Sequence, residues 1–128
     1  MRVLVVGAGT IGIRHVQSIL DLFSDAEVLI LDKERLSNAI LRELKTFCPV
    51  VRNVKVSKDP SKISGVFALG ILATPASGRL QLLWELDQSL EVRQWIIEKP
   101  ITNSLIDYYE YYEYYDYLRS TDRVFVNH

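Results

Sequence analysis

Apolar residues come along this chain in short unbroken bursts, separated by stretches whose apolar positions recur every three or four residues. The first burst, Val3–Val6, is continuous rather than alternating, as strands covered on both faces are. It runs into GAGTIG and then IRHVQSILDLF, where Ile13, Val16, Ile19, Leu20 and Phe23 recur at helical spacing. A second burst, Val28–Leu31, ends at Asp32, and residues 33–47 carry Leu36, Ile40, Leu44 and Phe47 on one helical stripe. Pro49 breaks that helix, and VVRNVKV predicts a weaker third strand over 50–56. SKDPSKISG predicts a loop holding one short helical turn, since Asp59-Pro60 favours helix initiation. Val66–Ala73 is the most buried-looking strand and stops at Thr74-Pro75; a helix over 77–89 follows. VRQWIIE predicts a fifth strand over 92–98, Ser104 opens a long helix, and RVFVNH predicts a last strand.

Strand and helix therefore alternate from end to end. That order predicts an α/β fold of the Rossmann type: a doubly wound parallel sheet of about six strands with helices on both faces. No linker or repeat interrupts it, so residues 1–128 are expected to form a single domain. With 48% apolar and 24% charged residues the chain has the composition of a globular domain. A net charge of −1 argues against a broad nucleic-acid footprint, which points to a small molecule or another protein as partner. Cys48 is the single cysteine, so no disulfide forms within the chain and a Cys-rich zinc site is excluded; no metal site is expected. No apolar run reaches the roughly 18 residues of a membrane span, and the expected location is the cytoplasm.

Gly7-Ala8-Gly9-Thr10-Ile11-Gly12 is a GxGxxG loop placed between a strand and a helix. Each glycine has a reason in a dinucleotide site: a tight turn, close backbone approach to a pyrophosphate, and close packing of helix on strand. The phosphates then rest on amides at the helix start, where the macrodipole favours negative charge. Asp32 stands 20 residues beyond Gly12 at the end of the second strand, where an acid accepts hydrogen bonds from an adenosine ribose. A carboxylate there repels a 2′-phosphate, so NAD is favoured; Lys33 and Arg35 soften that preference and leave NADP open. A purely structural glycine turn with a helix-capping aspartate is the plainer alternative. S-adenosylmethionine, in a methyltransferase-like domain, is another nucleotide that suits such a loop and acid.

Three motifs in order, GAGTIGIRH, ILATPASGR and IIEKPIT, resemble the nucleotide-binding domain of the Gfo/Idh/MocA oxidoreductases, and the resemblance covers essentially the whole chain. It implies that Gly7, Gly9, Thr10, Ile11 and Gly12 hold the cofactor together with Asp32 and Lys33. It also implies that Ala73, Thr74 and Pro75 form a cofactor-lining turn, and open α/β sheets independently place ligands at such strand ends. The family often has a histidine four positions after that proline; here the place holds Arg79. By resemblance Glu98 and Lys99 border the nicotinamide, with Lys99 the catalytic residue. A lysine there donates to a reacting hydroxyl, or acts as general acid/base if desolvation lowers its pKa, a change that nearby Glu98 opposes. Pro100 restricts the local φ.

The family's longer second α/β domain, which supplies most of the substrate pocket, is expected to be absent from these 128 residues. The chain is accordingly expected to bind dinucleotide but to be incomplete for hydride transfer to a sugar-like substrate unless a second domain is supplied. A non-catalytic, nucleotide-sensing or partner-binding module is the alternative. His15 reads mainly as packing or capping, and His128 has no partner visible in the sequence.

SLIDYYEYYEYYDYLRS carries the chain's seven tyrosines. Ser104 is the expected N-cap, with Asp107 at the third helical position in a near capping-box arrangement. Leu105, Tyr108, Tyr112, Tyr115 and Leu118 or Arg119 form the expected core stripe, which leaves Tyr109, Tyr111, Tyr114 or Tyr117 partly exposed. An amphipathic helix with wet phenolic tips explains this; an aromatic contact surface, and through it a homo-oligomer, is the alternative. The interleaved charges Glu110, Glu113 and Asp116 are acidic, which disfavours nucleic-acid stacking.

Overall fold

The computed structural model describes residues 1–127; His128 lies outside the described residues. Six strands alternate with four helices: β1 Arg2–Val6, α1 Thr10–Leu22, β2 Glu27–Leu31, α2 Ser37–Phe47, β3 Val54–Ser57, β4 Val66–Leu72, α3 Arg79–Ser89, β5 Glu91–Glu98, α4 Leu105–Ser120 and β6 Val124–Asn127. A single 3₁₀ turn, Pro60–Lys62, sits between β3 and β4, with Asp59 accepting the Ser61 amide. All pairings are parallel, in the order β3-β2-β1-β4-β5-β6. The doubly wound sheet is thus present.

The unbroken apolar bursts have the meaning read from them. In β1, Val3 and Val5 face α1 and α2, packing with Ile13, Val16, Ile40 and Leu44. Leu4 and Val6 face α3 and α4, with Leu80, Leu83, Trp95 and Leu118. Each strand of the centre has two buried faces, so no polar alternation survives. Gly70 in β4 has a local purpose: a Cβ there would stand 2.6 Å from the Trp95 ring. The fully buried indole occupies that space and donates Nε1–H to Asp87 Oδ1 at 3.0 Å.

Several boundaries differ from expectation. The second helix starts at Ser37 rather than residue 33, because Asp32 Oδ1 accepts the amides of Glu34 and Arg35, both at 2.9 Å, and turns the chain first. β3 is only Val54–Ser57, since Asn53 adopts a positive φ of 56° and breaks extension before it. The third helix begins at Arg79, after Gly78 in the left-handed region. The tyrosine helix is also rotated from the expected stripe. Leu105 is exposed, while Asp107, Tyr115 and Leu118 are buried and Tyr111, Tyr112 and Tyr114 pack against the core. Tyr109 and Tyr117 are the exposed ones.

That rotation follows from Asp107. Ser104 caps α4 as expected, accepting the Asp107 amide at 3.3 Å. The Asp107 carboxylate, however, does not reach back to Ser104. It crosses to α3 and accepts the amides of Leu80 at 3.0 Å and Gln81 at 2.8 Å, and also takes the Thr102 hydroxyl at 2.6 Å. One carboxylate thereby satisfies two orphan donors at the start of a neighbouring helix, and turns its own helix to do so.

Candidate functional site

Strand order reverses at β1: the chain fills one side through β2 and β3, then returns to the other side at β4. At that switch the loops leaving β1 and β4 diverge and open a crevice. Gly7 and Ala73 mark its floor, tied down by Gly7 N–H to Leu31 O at 2.9 Å and Ala73 N–H to Val6 O at 2.8 Å. The resulting cleft of about 720 Å³ is lined by the glycine loop, Asp32, Lys33, the 73–75 turn, Glu98 and Lys99. Every residue expected at the site lines it except Gly12, which is buried beneath.

The three glycines are separable by what a side chain would meet. Gly7 has φ +96°, and its Cβ would lie 2.9 Å from the Ala73 carbonyl. A Cβ on Gly12 would fall 1.9 Å from the Gly7 carbonyl, so fold packing alone demands glycine there. Gly9 differs: its φ is −72° and a Cβ would meet nothing within 4 Å. Neither backbone conformation nor protein packing requires glycine at that exposed position on the cleft, whereas close approach of a ligand would.

At the far end of β2, Asp32 Oδ2 accepts the Ala8 amide at 2.8 Å, and its Oδ1 takes the Glu34 and Arg35 amides. Partial burial pushes this carboxyl up, but the amides of Arg35, Ala8 and Glu34 and the Arg35 charge outweigh it and hold it below the ordinary range. Arg35 turns back over the loop, donating to the Ala8 carbonyl and pairing with Glu43 on α2 at 2.8 Å.

On the other side of the crevice the Arg79 side chain is 5% exposed and lies between two turns. It donates to the carbonyls of Thr74, Glu98 (2.5 Å) and Pro100, and so ties the end of β4 to the end of β5. Burial lowers its pKa from the ordinary arginine value, with the Glu98 charge opposing. The sequence marked this position only by what the family has instead. The Thr74 hydroxyl and Arg79 Nε are buried without a partner among the described residues, and both residues line the cleft.

Glu98 does not engage Lys99: its Oε1 takes His15 Nε2 at 2.5 Å and the Asn127 amide at 2.8 Å. Desolvation raises the Glu98 pKa, but Asn127, His15 and the Arg79 charge prevail and lower it. His15 is therefore more than packing; it anchors the residue beside the expected catalytic lysine. No local signal links positions 15 and 98, which only the sheet brings together. Lys99 itself is exposed on the cleft rim, and the peptide to Pro100 is cis.

No protein-family model matches the sequence, nor does any curated protein. Solved structures do match. The fold is one that known oxidoreductases share. A myo-inositol dehydrogenase from Corynebacterium glutamicum superposes with TM-score 0.70 at 18% identity, over 99% of this chain and 35% of that one. UDP-N-acetylglucosamine 3-dehydrogenase GnnA from Acidithiobacillus ferrooxidans gives 0.63 at 16%, over 93% and 34%. A super-repressor mutant of Gal80p from Saccharomyces cerevisiae gives 0.61 at 15%, over 91% and 32%. At such identities the likeness establishes the fold, and this chain spans about a third of the length of these proteins.

Proposed function

We propose that this chain is the dinucleotide-binding part of a Gfo/Idh/MocA-like oxidoreductase that works in the cytoplasm with NAD(H), with NADP(H) the weaker ligand. The observation that carries the reading is Gly9: a glycine open to the cleft, where a Cβ would meet no described protein atom within 4 Å, in a cleft that Asp32 and Thr74 also line. In this reading the loop amides and the start of α1 receive the pyrophosphate. Asp32 keeps acceptor capacity for a ribose hydroxyl beyond the three amides it holds. The unpartnered Thr74 hydroxyl supplies a polar contact beside the 73–75 turn.

When bound, the nicotinamide supplies the hydride-transfer chemistry. The chain's own contribution at the reacting end is Lys99, which donates to a substrate hydroxyl or exchanges a proton with it, on a strand end held by Arg79 and by the His15–Glu98–Asn127 cluster. A sugar, polyol or related alcohol is the substrate class proposed, with the rest of its pocket supplied by a second domain.

The test is thermal melting of the chain with NADH. At a hundredfold excess over Kd the melting temperature should rise by about 5–10 °C; no shift at millimolar NADH overturns the proposal. S-adenosylmethionine in the same assay tests the methyltransferase-like alternative, for which Lys99 has no use. A regulatory, non-catalytic module is the second reading, favoured by the shared fold with a Gal80p super-repressor mutant. It requires NADH to change the chain's assembly state, so identical sedimentation with and without NADH would sink it.

A further inference from the structure

We propose that Glu43, outside the cleft lining, sets the selectivity for NADH over NADPH by holding Arg35 away from the ribose. This inference rests on the dinucleotide reading above. A 2′-phosphate at the end of β2 must meet a cation in place of the ribose hydroxyl's acid partner. Arg35 sits three residues after Asp32 and lines the cleft, which makes it the obvious candidate. Its Nη1 is already engaged twice, by the Glu43 carboxylate at 2.8 Å and by the Ala8 carbonyl.

The arrangement is built rather than incidental. Asp32 accepts the Ala8 amide while Arg35 donates to the carbonyl of the same residue, so the 32–35 turn grips Ala8 from both sides. For Arg35 to turn Nη1 toward a 2′-phosphate it must release both the Ala8 carbonyl and Glu43. The local charge also opposes such a phosphate: Asp32, Glu34 and Glu43 outnumber Lys33 and Arg35. Glu43 acts twice, as the tether of Arg35 and as an extra negative charge. Lys33 is exposed and is the competing cation; if it does the recognising, Glu43 is irrelevant.

The experiment titrates NADH and NADPH by nicotinamide fluorescence against the full chain, Glu43→Gln, Arg35→Gln and the double variant. The wild type should favour NADH by about tenfold or more. Glu43→Gln should narrow that ratio about three- to tenfold through tighter NADPH binding, and the double variant should lose the gain. An unchanged ratio in Glu43→Gln, or a gain that persists without Arg35, overturns the inference while leaving dinucleotide binding intact. Failure of every chain, wild type included, to bind either dinucleotide instead removes the reading on which it rests. Glutamine keeps helix propensity at this partly exposed position, and a melt without nucleotide verifies that each variant is folded.

Discussion

Gly9 caps α1 and Gly12 lies in its first turn, and the proposed reasons for glycine at the two positions are opposite. Adding a methyl at Gly12 drives it into the Gly7 carbonyl at 1.9 Å, so Gly12→Ala should cost about 3 kcal/mol or more, read by chemical denaturation. Gly9→Ala adds a methyl where no protein atom lies within 4 Å. Its stability should stay within roughly 0.5 kcal/mol of wild type, while NADH affinity falls by about tenfold or more. Equal NADH affinity in a folded Gly9→Ala chain would show that no ligand approaches there.

At the scale of elements, one carboxylate on α4 serves the start of α3. Asp107 serves the start of α3 through the Leu80 and Gln81 amides and braces the Thr102 turn. Asp107→Ala leaves those donors unmet at a buried site, and should lower stability by about 2–4 kcal/mol in denaturant unfolding. A loss under about 0.5 kcal/mol would mean that water replaces the carboxylate freely. Because α3 also carries Arg79, which ties the ends of β4 and β5 together, the variant should weaken NADH binding as well as the fold.

For the molecule as a whole, acid is the expected weakness. The Asp87 side chain is only 5% exposed, and desolvation alone would raise its pKa. Hydrogen bonds from Arg123 (2.7 and 3.1 Å), Tyr114 and Trp95 more than offset this and depress it. The same contact, with burial first, pushes the Tyr114 phenol up to about 12. Asp32 and Glu98 are likewise depressed. A carboxyl whose folded pKa lies below its unfolded value adds stability that is complete above about pH 4–5 and is lost as pH falls through the folded value. Unfolding free energy should therefore drop steeply below about pH 4. Asp87→Asn should be less stable at pH 7 by about 2–4 kcal/mol, with a shallower acid limb. An acid limb as steep as wild type in that variant would remove Asp87 as a cause.

How much was legible in the chain divides along the range of the forces involved. The continuous apolar bursts, the glycine loop, Asp32 after β2 and the Thr74-Pro75 strand end are local patterns. They determined a parallel α/β sheet and placed the glycine loop, Asp32 and the Thr74-Pro75 turn on its crevice, because strand burial and turn chemistry act within a few positions. Contacts across long separations were not legible. His15 meets Glu98 across 83 positions and Asp107 meets Leu80 across 27. The Arg35 grip on Ala8, the Arg79 tie between two turns and the rotation of the tyrosine helix depend on how separate elements pack. A hydrogen-bond partner is chosen by proximity in space, and only the closed sheet with its helices docked supplies that proximity.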